Sequence, residues 1–203
     1  MNNIKQILIT TLRDKKTSRA LFRQTTHKLA HVLAHEAAEH IKTKTTNIQT
    51  PIDSASGLEF GTPIVLVPIL RSGIALLPPF LKYFQSASVG VVGLKRDEET
   101  AQAHWYYENL PPLTEKEQII ILDPMIATGG TGVETLRKLK EHGIAQKKII
   151  FVSIVCAPEG IEAIKSEFPD ITTITVAIDK HLNAQKFIIP GLGDFGDRYF
   201  GTE

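Results

Sequence analysis

Apolar residues along this chain fall into two alternating kinds of pattern. Five short runs, at 64–70, 89–94, 119–122, 149–155 and 171–178, are rich in Val and Ile and nearly unbroken. Strands look like this when both of their faces are covered, so these runs predict fully buried strands. Between most of them lie stretches with helical spacing, at 74–84, 132–142 and 161–168. A longer amphipathic stretch, 17–41, precedes them, with Leu21, Leu29, Val32 and Ala37-Ala38 at helical intervals and Ser/Thr near its start. Strands alternating with helices predict an α/β fold, a largely parallel central sheet flanked by helices. Neither an internal repeat nor a low-complexity segment interrupts the pattern.

Two stretches break the alternation. Residues 95–118 carry many charges, Trp105, Tyr106-Tyr107 and Pro111-Pro112 without helical period, and are expected to form an arm, a lid or a subunit contact. Residues 182–203 are glycine-rich yet hold Ile188, Ile189 and Phe200, which predicts a packed, sharply turning loop rather than a solvated tail.

Composition narrows the classes. The chain has 203 residues, and 1–203 is expected to form a single domain. Lys and Arg number 23 against 22 Asp and Glu, a near-neutral sum that argues against a protein held to nucleic acid by phosphate neutralisation. One cysteine, Cys156, cannot form an intramolecular disulfide. The longest apolar run contains Pro68 and stops at Arg71, far short of the ~20 residues of a spanning helix. The start has no apolar stretch of signal-peptide length. A cytoplasmic location, without membrane or nucleic-acid partners, is expected.

The chemistry concentrates where strands end. At 119–131 a buried strand delivers Asp123, then Pro124-Met125-Ile126-Ala127-Thr128-Gly129-Gly130-Thr131 leads into a helix. In α/β sheets ligands sit at that edge. Glycines let backbone N–H groups close on a phosphate, Thr hydroxyls add donors, and the helix start adds positive partial charge. Asp123 is then placed to bind sugar hydroxyls. No Lys follows the glycines, so this is not a Walker loop, and the dinucleotide spacing is absent. Arg71-Ser72-Gly73 follows an earlier strand and reads as a second anion loop, the guanidinium giving paired hydrogen bonds to phosphate oxygens. Arg96, before Asp97-Glu98-Glu99-Thr100, repeats the arrangement. In the tail, Gly191-Leu192-Gly193-Asp194-Phe195-Gly196-Asp197-Arg198 forms a tight turn. Main-chain groups of such a turn can match the acceptor–donor–acceptor edge of a cyclic imide and reject a base with an amino group there. The same turn read alone is a structural closure.

Taken in order, these motifs resemble the uracil phosphoribosyltransferase family. The resemblance runs from Thr17-Ser18 and Phe22-Arg23 to Phe200-Gly201-Thr202, and includes Ala157-Pro158-Glu159-Gly160. The Asp123-Pro124 form of the loop is a mark of the uracil enzymes, where many other phosphoribosyltransferases carry two adjacent carboxylates. The resemblance implies the type I phosphoribosyltransferase fold, with 95–118 as a flexible arm and 182–203 as a base-binding hood. It implies transfer of the phosphoribosyl group of PRPP to uracil, giving UMP and pyrophosphate in pyrimidine salvage, with Mg2+ bound through PRPP.

Carried over by position, Asp123, Pro124, Met125, Ile126, Ala127, Thr128, Gly129, Gly130 and Thr131 bind the ribose and its 5-phosphate. Arg71 and Arg96 bind pyrophosphate and stabilise it as it leaves. Ile188, Gly193, Asp194 and Phe195 contact uracil, largely through backbone, and Asp194 also contacts PRPP. Asp194 is a candidate acceptor for the uracil proton, with ribose or loop positioning the other reading. The family also implies a homodimer or larger assembly and, for some members, a GTP effector.

The chain departs from the family pattern at Ser72 for Ala, Phe195 for Ala, Phe187 for Tyr, and at Pro78-Pro79 in a stretch that usually contains glycine. Phe195 puts a large ring where a methyl is usual: with a backbone-only base contact the ring can turn outward and activity survives, whereas a ring pointing into the pocket displaces uracil. Two rivals follow: a PRPP enzyme with altered base specificity, and a nucleotide-sensing RNA-binding regulator on the same fold. His27, His31 and His35 have metal-ligand spacing but read as a solvated helix face. Arg137, Lys138, Lys140, Lys147 and Lys148 read as complements to a helix end rather than an RNA site.

Overall fold

A computed structural model describes residues 3–96 and 103–202. The chain opens with α1 (Asn3–Arg13) and α2 (Arg19–Ala38), the latter capped by Ser18, whose side chain accepts from the Leu21 N–H. An antiparallel hairpin follows, β1 (Thr43–Gln49) and β2 (Ser54–Phe60). Next come β3 (Ile64–Leu70), α3 (Leu77–Tyr83), β4 (Ser88–Val89), β5 (Val91–Arg96), β6 (Ala103–Asn109) and β7 (Gln118–Leu122). The second half holds β8 (Met125–Ile126), α4 (Gly130–Glu141), β9 (Ile149–Val152), β10 (Val155–Cys156), α5 (Pro158–Glu167), β11 (Thr172–Ile174) and β12 (Ala177–Ile178). The tail forms β13 (His181–Leu182), β14 (Ile188–Ile189) and α6 (Phe195–Phe200).

The central sheet runs β11-β9-β7-β3-β5-β6, with β4 also beside β3; all of these pairings are parallel except β5 with β6. Because successive side chains point to opposite faces, the unbroken apolar runs divide between two cores. Leu66, Ile120, Leu122, Ile150 and Val152 pack with α1, α2 and α3 on one face. Val65, Val67, Ile69, Ile119, Ile121, Ile149 and Phe151 pack with α4 and α5 on the other. Each such side chain contributes about 1.5–3 kcal/mol through burial. The expected α/β fold with helices on both sides of a mostly parallel sheet is what forms.

From β3 the chain builds outward to β5 and β6, then returns to the opposite side of β3 and builds outward again through β7, β9 and β11. The order therefore reverses between β3 and β7, and a crevice opens at the carboxyl ends of that pair. Pro68 stands opposite Leu122 in their register, so Arg71 and Asp123 leave the sheet side by side.

Several local expectations change. The runs 149–155 and 171–178 are each broken in two, because Pro124 O accepts from both Ile154 and Val155 and Ile154 O accepts from both Val176 and Ala177. The displaced ends pair anew as β8-β10-β12. The tail is not only a loop: it carries a short hairpin and α6. Part of the predicted arm is regular strand, β6, held antiparallel to β5. Pro78 and Pro79 lie in the first turn of α3, where a missing N–H costs nothing.

Candidate active site

At the end of β7, the Asp123 N–H donates to Val152 O at 3.1 Å, keeping this residue in register with β9. Pro124 ends that ladder, β8 pairs instead with β10, and Ala127 to Gly129 turn into α4. Gly129 has φ of +81°, and a Cβ there would stand 2.6 Å from Gly160 O; one on Gly160 would stand 2.4 Å from Ala127 O. The two backbones thus touch where no side chain fits. That contact ties the loop to α5 and gives Ala157-Pro158-Glu159-Gly160 its purpose. Asp123, residues 125–132 and Phe151 line a concavity of about 180 Å³. The opening N–H groups of α4 lie along it, and these have no intrahelical partner and carry positive partial charge.

The Asp123 carboxyl receives one long hydrogen bond, from the Met125 N–H at 3.4 Å. The residue keeps some solvent contact, yet its carboxyl is deeply desolvated, and burial pushes it up to about 7. Near neutral pH it is poised to accept from, or donate to, sugar hydroxyls. Cys156, the nearby thiol, is pushed up to about 11 by burial and is therefore no nucleophile at neutral pH.

Arg71 follows β3 after a cis Leu70–Arg71 peptide. Gly73 presses its backbone on the neighbouring strand: a Cβ there would lie 2.2 Å from Leu122 O, one residue before Asp123. The Arg71 side chain is exposed and leans on the tail, with Nη2 3.4 Å from Thr202 Oγ1 and 3.8 Å from Asp197 Oδ1, and its guanidinium 5.4 Å from the centre of the Phe200 ring. A Cβ built on Gly196 would lie 3.1 Å from Ser72 Oγ, 3.2 Å from Asp194 Oδ1 and 3.6 Å from Arg71 Nη2. The fold thus brings Arg71, Ser72 and Asp194 together across the crevice. Arg96 closes β5 at the same carboxyl edge, three residues beyond Gly93, which pairs with Leu70. Asp97, Glu98, Glu99 and Thr100 lie outside the described residues.

In the tail, Gly193 and Asp194 are exposed, and Asp194 caps α6 by accepting from the Asp197 N–H at 2.9 Å. Ile188 is buried beside Leu192 and Phe195. Phe195 turns neither out to solvent nor into a pocket. Its ring is 1% exposed, 5.3 Å from that of Phe22 and stacked on Tyr199 at 5.6 Å, so it turns inward, away from solvent. What residues 193–195 offer a ligand is consequently backbone together with the Asp194 carboxylate. Phe187 stands half exposed.

Sequence reasoning missed the supports of this site. Asp197, Phe200 and Thr202 hold Arg71, and Arg13 and Asp179 hold the turn, but these are single residues without a periodic or motif signal. The histidines of α2 lie on the solvated face expected of them: His27 and His35 are exposed and His31 is half-buried, with His27 also bonding Tyr199 Oη at 3.1 Å and the His31 ring meeting Tyr83 edge-on. No group of three or more His, Cys, Asp or Glu able to hold a metal occurs among the described residues. Of the basic cluster, Arg137 pairs with Glu134 and Glu167, and Lys138 with Glu108 and Glu141. A larger concavity of about 880 Å³ opens between α1, α2 and α3. It lacks the glycine loop and the free helix N–H groups, and size alone does not make it the site.

A sequence model described as uracil phosphoribosyltransferase matches residues 2–202. Relatives named uracil phosphoribosyltransferase include one from Campylobacter concisus, 40% identical over 96% of this chain and 92% of its own. Another, from Dictyoglomus turgidum, is 41% identical over 96% of this chain and 94% of its own. A solved structure from Aquifex aeolicus superposes with a TM-score of 0.93 at 35% identity, covering 100% of this chain and 97% of that one. The purine phosphoribosyltransferase of Pyrococcus horikoshii shares the fold, with a TM-score of 0.52 at 14% identity over 79% of this chain and 93% of that one.

Proposed function

The chain belongs to the uracil phosphoribosyltransferase family, and we propose that it transfers the phosphoribosyl group of PRPP to uracil, releasing pyrophosphate, with the glycine loop as phosphate cradle and the tail turn as base reader. The enzyme is a pentosyltransferase making UMP. In the reaction the bond from the sugar C1 to pyrophosphate breaks, a bond from C1 to a uracil nitrogen forms, and that nitrogen gives up its proton. No nucleophilic side chain is required. Catalysis consists of holding the two reactants in line and stabilising charge as pyrophosphate leaves.

Asp123 holds the ribose hydroxyls, and the loop from Pro124 to Thr131 holds the 5-phosphate on the first turn of α4. Arg71 and Arg96 hold the pyrophosphate. Ile188, Gly193 and Phe195 address uracil through backbone groups. Asp194 takes the uracil proton, its position fixed by the cap bond to Asp197. Mg2+ arrives with PRPP as part of the substrate. The Asp123 carboxylate and the Thr128 and Thr131 hydroxyls, all lining the concavity, would offer it the hard oxygen donors that this ion accepts.

The observation that carries this reading is the convergence of Arg71, Ser72 and Asp194 beside a glycine cradle at one switch point of the sheet. The inward turn of Phe195 favours uracil over an altered base, because it leaves the reader's backbone uncovered. We also propose a homodimer or larger assembly, supported by exposed Ile48, Ile52 and Leu58 on the β1–β2 hairpin and by Tyr106 and Tyr107 on β6. A cytoplasmic site of action is in keeping with the lone buried Cys156; no helix among the described residues is long and apolar enough to cross a membrane.

Calorimetric titration with Mg2+ and PRPP tests the cradle. The parent chain is expected to bind, and Gly129→Ala to bind at least about tenfold more weakly, since a side chain at φ of +81° meets Gly160 O. Equal binding by the two would refute the loop assignment.

A further inference from the structure

The tail turn has little regular structure of its own to hold it: β14 has two residues and α6 has six. Hydrogen bonds to a base nevertheless require their donors and acceptors to be fixed to about 0.5 Å. The stiffness must come from elsewhere, and the hydrogen bonds around Gly191 identify its source.

Arg13, the last residue of α1, makes a two-pronged pair with Asp179, Nη1 to Oδ2 at 2.8 Å and Nη2 to Oδ1 at 2.6 Å. The same Nη1 donates to Gly191 O at 2.9 Å, and the Gly191 N–H donates to Asp179 Oδ2 at 2.8 Å. One ion pair therefore engages both backbone groups of a single turn residue. That turn admits no slack. Gly191 has φ of +59°, and a Cβ there would lie 2.2 Å from Ile188 O.

Both ends of the pair are anchored. The Asp179 side chain is 5% exposed, and its N–H donates to Cys156 O at 2.8 Å, fixing it to the end of the β8-β10-β12 sheet. Beside it, Arg198 ties Leu192 O to the same end of α1, donating to Leu12 O and, at 2.7 Å, to Asp14 O, while its guanidinium lies 4.4 Å from the centre of the Phe22 ring. Neither Arg13 nor Asp179 lines the phosphate concavity.

From this geometry we infer that Arg13 and Asp179 are positioning residues for the base: by gripping Gly191 they set where residues 188–195 present their hydrogen-bonding groups. The inference rests on the proposed role of this turn as the uracil reader. It predicts a selective effect, because the pair acts on the turn and not on the PRPP cradle.

The test is steady-state kinetics with uracil and PRPP varied separately, on Arg13→Lys, Asp179→Asn and Gly193→Ala. Arg13→Lys keeps the charge but loses the fork, and Asp179→Asn keeps an acceptor for Gly191 but loses the charge. Each is expected to raise the uracil KM about tenfold or more while the PRPP KM stays within about twofold. Gly193→Ala is expected to raise the uracil KM as well, independently of the pair. If Gly193→Ala raises it and both pair variants leave it unchanged, or raise both KM values in proportion, the positioning role is overturned and the base-reading turn stands. If Gly193→Ala leaves the uracil KM unchanged, the base-reading turn falls, and the inference with it. Should Arg13→Lys fail to fold, Asp179→Asn decides alone.

Discussion

Phe195 is the sharpest place to test the packing of the tail, because the family pattern has alanine there. Replacing it by alanine would restore the family residue but remove a fully buried ring that lies between Phe22 and Tyr199. Loss of the transfer energy of the ring and the cavity left behind cost about 3–5 kcal/mol for a Phe→Ala change in a core. At about 2–4 °C per kcal/mol for a chain of this length, Tm should fall by roughly 6–20 °C. The base contact should change much less. Asp194 still caps α6, Arg71 still leans on Thr202 and Phe200, and the group proposed to meet uracil at this position is backbone. The assay is thermal unfolding of Phe195→Ala beside the parent, followed by the uracil KM well below both midpoints. A Tm within about 2 °C of the parent would refute the packing. A normal Tm with a uracil KM raised more than about tenfold would show that the ring itself addresses the base.

Asp123 gives a pH signature. Its carboxyl stands at about 7 in the folded protein against the ordinary 3.8, so the folded state holds the proton more tightly. The resulting stabilisation is complete below about pH 4 and is lost as pH rises through 7, a loss of about 2–3 kcal/mol between pH 5 and pH 8. Asp123→Asn should remove that slope, and denaturant titrations of both proteins at the two pH values check it; an unchanged parent-minus-variant difference would contradict it. Arg71→Lys should leave stability within about 0.5 kcal/mol, since Arg71 is exposed and its ties to the tail are long. It should also lower kcat about ten- to hundredfold, because an ammonium cannot reproduce a two-pronged hold on pyrophosphate. Unaltered turnover would remove Arg71 from the pyrophosphate site.

What the sequence revealed and what it hid follow from the same physics. Strands β3, β7 and β9 were legible because burial on both faces demands unbroken Val and Ile. The loop after Asp123 was legible because the turn from a buried strand into α4 needs glycine where the backbone meets Gly160, the pattern also expected of a phosphate cradle. The β1–β2 hairpin was not legible: both of its faces are largely exposed, so Thr43 to Phe60 shows no alternation to read. Helix α1 was obscured because Ile4 and Ile7 are exposed while Lys5, Ile9 and Leu12 are buried, which blurs its apolar stripe. Nor could spacing foretell where the Phe195 ring would go. Its partner Phe22 is 173 positions away in the chain, and only the fold brings α2 and α6 together. The grip of Arg13 and Asp179 on Gly191 is hidden for the same reason, since three segments meet there without any shared motif.

The central claim is that backbone groups of the tail turn select the base that receives the phosphoribosyl group. Initial rates of nucleotide formation from PRPP and Mg2+, with uracil, cytosine and hypoxanthine as parallel acceptors, test it most directly. A turn built for an acceptor–donor–acceptor edge leaves buried groups unpaired against cytosine, so the account predicts UMP from uracil and rates at least about a thousandfold lower for the other two. Turnover of cytosine or hypoxanthine within about tenfold of uracil would contradict it.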